Sequence, residues 1–167
     1  MQLGRVLRHL SYPSLRARRA FPARVMDAVE SAIRASETHH RGELRFAVES
    51  ALDWPELWRE TSATQRAREV FGKLGVWDTA ENNGVLIYLL LADHAVEIVA
   101  DHGFAAWVEP AQWQTICRDM EREFRAGRFE AGALGGIAAI SELMAKHYPA
   151  SGERANPDEL PNRPVVL

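Results

Sequence analysis

The segment Asp78-Thr79-Ala80-Glu81-Asn82-Asn83-Gly84 and the later Asp101-His102-Gly103 place carboxylate and amide oxygens on either side of a hydrophobic hairpin. Oxygen donors of this kind suit calcium or magnesium, hard cations that take carboxylates, amide carbonyls and water. If the hairpin turns at Asp93-His94, Val85 faces His102 and Gly84 faces Gly103. Asn82 and Asn83 then lie beside Asp101. A parallel strand starting at Glu43 would bring Glu37, His39, His40 and Glu43 to the same end, near Asp78, Asn82 and Asp101. The candidate metal ligands are therefore Asp101, Asp78, Asn82, Asn83 and Glu43, with calcium or magnesium as the ion. No Cys/His spacing of the zinc type is present. Each residue also has a structural reading. Asp78 and Asn82 can cap a turn, Asn83-Gly84 can supply a positive φ, and Asp101 can hold the loop before Gly103. His39-His40 can end a helix, where the dipole favours histidine. From the residues alone both readings stand.

Other chemistry finds no complete set. The sequence has no P-loop lysine after a glycine-rich turn, no G-x-S-x-G nucleophile and no H-E-x-x-H pair. Cys117 falls beside Ile116 and Met120 on an apolar helix face, the setting of an inert thiol. As the single cysteine it can form no disulfide within the chain, which suits a reducing compartment; a cytoplasmic location is expected. Trp54, Trp58 and Trp77 read as core or rim residues, and the acidic segment around them argues against a nucleic-acid groove.

The elements that must position these residues follow from periodicity. The chain has 167 residues, 47% of them hydrophobic, and a net charge of -3, which fits one domain with short tails. Residues 1–20 form an Arg-rich arm: a helix from Leu3 to Leu10, then an irregular segment broken at Pro13. Residues 1–24 contain Arg5, Arg8, Arg16, Arg18, Arg19 and Arg24 and no acid. The arm reads as packing its Leu and Phe residues on the domain, with polyanion contact as the lesser alternative. Its apolar runs are too short for a leader core, and no run approaches the ~18 apolar residues of a membrane span.

The domain itself spans residues 21–149. A helix starts at Phe21-Pro22 and presents Val25, Val29, Ala32 and Ile33 on one face. Glu43 to Ser50 alternates as a half-buried strand, and a linker with Trp54, Pro55 and Trp58 follows. The capping box Ser62-Ala63-Thr64-Gln65 opens a helix that Gly75 ends. Val85 to Leu91 carries no charge and reads as a central strand, with Ala95 to Ala100 as its hairpin return. Pro110 opens one more helix, and Phe129 to His147 forms the last. Gly132, Gly135 and Gly136 in that helix suggest close approach of a neighbour. The tail, 150–167, reads as extended, with its apolar end docked on the domain. Strand, crossover helix and strand make a parallel βαβ pair, and the hairpin return adds an antiparallel strand. With helices on both faces, the expected fold is a three-layer α/β sandwich.

The run NNGVLIYLLL, then VEIVADHGF, then a Trp-led helix, then FRAGRFEAGALGGI, resembles the TPM-domain family, from about Phe21 to Pro149. Asn83-Gly84 before the buried strand, Asp101-His102-Gly103 after the hairpin, and Phe124 to Gly136 leading into the late helix carry the likeness. Gly42-Glu43-Leu44-Arg45 at the first strand adds to it. The resemblance implies an α/β sandwich. Some members are associated with acid phosphatase activity, some with calcium or other divalent ions, and others act as accessory factors for membrane complexes. Many members carry acidic residues just before the first domain helix, where this chain has Arg18-Arg19-Ala20-Phe21. The resulting expectation is an accessory, protein-binding module tuned by a divalent cation. The alternative is a metal-assisted, acid-phosphatase-like hydrolase of phosphoesters.

Overall fold

The computed structural model describes residues 3–12, 14–150 and 159–167, so the predicted break at Pro13 lies outside the described residues. The arm begins with α1 (Leu3–Leu10), as its spacing predicts. The segment expected to be irregular is instead a second helix, α2 (Ser14–Ala20). Its Arg, Leu and Ala residues are good helix formers, and Ala17 is buried against the core. Then comes α3 (Ala23–Ser36), with Pro22 as its extended N-cap.

A four-stranded sheet forms the centre, with order β3-β2-β1-β4. Here β1 is Glu43–Glu49, β2 is Gly84–Leu90, β3 is Ala95–Ala100 and β4 is Val165–Val166. β1 and β2 run parallel, in register from Glu43↔Gly84 to Glu49↔Leu90. Between them lie α4 (Trp54–Trp58), in place of the expected linker, and α5 (Ala63–Lys73). Pro55 in the first turn favours the short α4. The predicted capping box is present on α5: Ser62 Oγ accepts from Gln65 N–H at 3.1 Å, and Gln65 Oε1 accepts from Ser62 N–H at 2.8 Å. After the hairpin come α6 (Pro110–Arg125) and α7 (Phe129–His147).

The even residues of β1 and the odd residues of β2 face α3, α6 and α7. Leu44, Phe46, Val85, Ile87 and Leu89 join Ile33, Met120 and Ile140 in one core. The other sheet face packs Ala47, Leu86 and Tyr88 on Leu57, Ala67 and Val70 of α4 and α5. The result is the expected three-layer sandwich.

Two expectations are corrected. Alternation predicts a half-buried β1, yet all seven of its residues are buried. Its polar side chains are covered rather than solvated. Arg66 binds the Glu49 carboxylate through two nitrogens, at 2.8 and 3.0 Å, and Tyr88 donates to it at 2.5 Å. Arg45 donates to the Arg163 carbonyl at 3.3 Å. The second correction is the hairpin register. Leu91–Asp93 form a 3-10 turn and His94 takes a left-handed conformation (φ 52°), so Val85 pairs with Ala100 rather than His102.

Glycine matters most where chains touch. A Cβ on Gly84 would lie 1.9 Å from the Val76 carbonyl oxygen, so only glycine fits where β2 begins. In α7, a Cβ on Gly136 would lie 2.3 Å from Met120 Sδ and one on Gly132 2.6 Å from Phe124, the close helix approach that the glycines predict. Gly135 has nothing within 4 Å and takes no part in the contact. Gly84→Ala is expected to destabilise the fold by about 2–3 kcal/mol through overpacking against backbone. Gly135→Ala should stabilise it by up to ~1 kcal/mol through helix propensity. Urea midpoints at a common slope would measure both.

Candidate cation site at the strand ends

The parallel register brings the starts of β1 and β2 together, and the hairpin returns the chain to the same end. Asp101 N–H donates to the Gly84 carbonyl at 2.8 Å, and Gly103 N–H to the Asn82 carbonyl at 3.0 Å. Glu43 N–H donates to the Asn83 carbonyl at 3.3 Å. Asn82, Asn83 and Asp101 are therefore neighbours, although the hairpin register is two residues away from the one predicted. The positive φ expected at Asn83-Gly84 belongs to Asn82 (φ 52°).

The loop is held from several sides. Asn83 N–H donates to Thr79 Oγ1 at 3.1 Å, and Asn83 Nδ2 to the Arg41 carbonyl at 2.7 Å. Arg41 pairs with Glu81. Tyr148 donates to the Gly103 carbonyl at 2.8 Å, tying the end of α7 to the loop. Asp101 Oδ1 accepts from the His102 N–H and faces the His102 Nδ1, both at 2.7 Å. Asp101 Oδ2 and Asn83 Oδ1 are buried and accept no hydrogen bond from the described residues, in residues only 9% and 1% exposed. Buried oxygens normally have a partner. Both are oxygens of the kind a hard cation takes.

The other predicted ligands are placed differently. Glu43 lies next to Asn83 along the backbone, but its Oε2 accepts from Leu160 N–H at 3.1 Å, on the side of the tail. Asp78 is exposed on the outer turn of the loop, its N–H bonded to the Gly75 carbonyl at 3.0 Å. His40 is wholly buried, with Nδ1–H donating to the Gly42 carbonyl at 3.0 Å, and it bridges to Pro149. The His39 carbonyl accepts from Ala150 N–H. Glu37 caps α3. Among the described residues, no three His, Cys, Asp or Glu side chains converge as a metal-binding group. One carboxylate with amide and carbonyl oxygens suits calcium or magnesium with bound water, at the weak end of the calcium range, ~10⁻⁴–10⁻³ M.

Two charged groupings escaped the sequence reading. One is the Glu49–Arg66–Tyr88 set beneath α5. The other joins the arm to the hairpin turn. Asp93 accepts from Arg5 at 2.8 and 3.0 Å, from Arg8 at 2.6 Å and from His9 Nε2 at 3.0 Å. Burial works to raise the Asp93 carboxyl, but bonds from Arg5, His9 and Arg8 prevail and hold it at about 2. The spacing of Arg5, Arg8 and His9 on one helix face was the available signal. Burial, chiefly, pushes the Cys117 thiol up to about 12, so it stays protonated near neutral pH and is a poor nucleophile.

The family model described as the TPM domain matches residues 19–143. Among solved structures, the NMR structure of BA42 protein from Bizionia argentinensis is 30% identical. That match covers 87% of this chain and 94% of the other, with a TM-score of 0.75. The solution structure of the N-terminal domain of a P. gingivalis protein is 20% identical, over 72% of this chain and 76% of that one, with a TM-score of 0.57, and shares the fold. No curated protein matches.

The buried His40 sets a pH dependence. Burial first, then the neighbouring His39, lowers its pKa from 6.5 to about 4, against the opposing pull of the Gly42 carbonyl. Between those values the unfolded chain takes up a proton that the native state refuses. The contribution to stability is therefore complete above pH 6.5 and is lost as pH falls toward 4, on the order of 3 kcal/mol. His40→Asn should flatten that part of a stability–pH curve, measured by urea unfolding at pH 7 and pH 4.5.

Proposed function

The chain belongs to the TPM-domain family, and we propose that it acts there as a non-catalytic accessory module that docks on a protein partner and is tuned by a weakly bound calcium or magnesium ion. The observation that carries the ion is the pair of buried acceptors, Asp101 Oδ2 and Asn83 Oδ1, on a loop braced from β1, β3 and α7. Asp101 and Asn83 would supply side-chain oxygens, with Asn82 beside them. An ion there would fix the paths of the two loops at this end, residues 79–83 and 101–103, and so the outer surface that they present. The accessory role rests on the incomplete catalytic set. Cys117 stays protonated, and no three acidic, His or Cys side chains converge among the described residues.

One observation favours the hydrolytic alternative. His102 is exposed, with its Nδ1 2.7 Å from the buried Asp101 carboxylate. Asp101 and His102 both line a cleft of about 410 Å³ that also contains Arg68 and Thr64. An oriented histidine beside a guanidinium could protonate a leaving oxygen while the cation binds a phosphoryl oxygen.

Calcium or magnesium at 10 mM is expected to stabilise the metal-free chain by about 1–3 kcal/mol if the dissociation constant lies in the weak range given above. That corresponds to a rise of several degrees in Tm for a chain of this size. Asp101→Asn should abolish the rise. An unchanged Tm at 10 mM of both ions would sink the cation reading. Turnover of p-nitrophenyl phosphate that His102→Ala lowers at least 100-fold would replace the accessory reading with the hydrolytic one.

A further inference from the structure

In a water-exposed helix on a protein surface, leucines normally turn inward and arginines outward. In α1 the arrangement is reversed. Val6 and His9 are buried, and Arg5, Arg8 and His9 all bond to Asp93. Leu52 N–H donates to His9 Nδ1 at 2.9 Å, so the other ring nitrogen, Nε2–H, donates to Asp93. Leu3, Leu7 and Leu10, at the i, i+4 and i+7 positions, are left 58–64% exposed.

The same contacts place α1 beside α4. Arg5 Nη2 donates to the Thr61 carbonyl at 2.8 Å, just after α4, while His9 meets Leu52, just before it. The two helices thus lie antiparallel, with Val6 and Leu57 lining one hollow between them. α4 buries Leu57 and exposes Trp54 (51%) and Trp58 (67%), whose rings are 6.1 Å apart. With Pro55 and Arg59 they line an apolar hollow of about 570 Å³. Next along the chain, α2 buries Ala17 and exposes Leu15, Arg16, Arg18 and Arg19.

We propose that the outer faces of α1 and α4, flanked by the arginines of α2, form a docking surface for an anionic lipid bilayer. Leucines at helical spacing enter the acyl boundary, tryptophans lie at the headgroup level, and arginines meet the lipid phosphates. The charge of α2 selects this occupant: Arg16, Arg18 and Arg19 are exposed and make no ion pair among the described residues, whereas Asp93 engages Arg5 and Arg8, and Glu130 engages Arg24. The leucines disfavour a nucleic acid, which offers no apolar phase for them. No helix among the described residues is long and apolar enough to cross a membrane, so the contact is interfacial.

The test uses the full chain, in chelator so that the cation reading plays no part. It is mixed with vesicles of phosphatidylcholine alone or with one third phosphatidylglycerol, and bound protein is measured by flotation. Binding to the anionic vesicles with little to the neutral ones, together with a blue shift in tryptophan emission that Trp54→Phe/Trp58→Phe removes, is the expected result. Leu7→Glu/Leu10→Glu should abolish binding. Arg16→Gln/Arg18→Gln/Arg19→Gln should weaken it about 100-fold, from the contribution of three basic residues at a charged membrane. These positions are exposed, so an unchanged Tm certifies each variant, and the arginine variant stands alone if the leucine variant unfolds. No flotation with anionic vesicles, or equal flotation with both kinds, overturns the proposal. So does a concentration-dependent dimer abolished by Leu7→Glu/Leu10→Glu, which would make a second copy the occupant.

Discussion

Two parallel strands covered on both faces leave no water for the polar atoms between them, and most of the fold answers that constraint. β1 and β2 supply each other's backbone partners, and β3 and β4 close their outer edges. The side chains are harder to satisfy. Glu49, pointing away from the main core, would be an isolated buried charge without Arg66 and Tyr88. Burial pushes the Tyr88 hydroxyl up, and Glu49 adds to the effect, so Tyr88 remains a donor to the carboxylate across the ordinary pH range. Removing one member of such a set strands the others, which is why buried pairs are costly to break even when they add little net stability.

The strand ends inherit the same geometry. Because β1 and β2 are parallel, both begin at one end, and the hairpin brings Asp101 back to it. Gly84 lets the Val76 carbonyl approach the first residue of β2, so the loop from Val76 to Asn83 is drawn tightly over the sheet.

Much of this was legible in the sequence, for identifiable reasons. Ser62 and Gln65 announce their capping box, the uncharged run before Asp93 announces a central strand, and Pro110 opens α6. The adjacency of Asn82 and Asp101 followed from topology and withstood a register shift of two residues. What stayed hidden depends on distant parts of the chain. Alternation in β1 was visible, but the distant partners of its polar side chains were not: Arg66 and Tyr88 for Glu49, and the Arg163 carbonyl for Arg45. The same alternation, followed through, places Glu43 opposite Leu44 and so on the tail side. The two-residue β4 is too short to carry a periodic signal. The Arg5–Asp93 contact spans 88 positions, and nothing local reports it.

That contact divides the molecule into parts of unequal cooperativity. α1 is joined to the sheet chiefly through one carboxylate, one backbone carbonyl and one backbone amide, whereas α3 and α7 share the main core. Regions with few buried apolar contacts open at free energies well below that of global unfolding. Lifting of α1 alone would be such an opening, with the sheet left intact. The Leu52 amide proton, shielded by the His9 ring, exchanges with solvent each time the arm lifts, and its protection factor is a one-atom gauge of how often that happens.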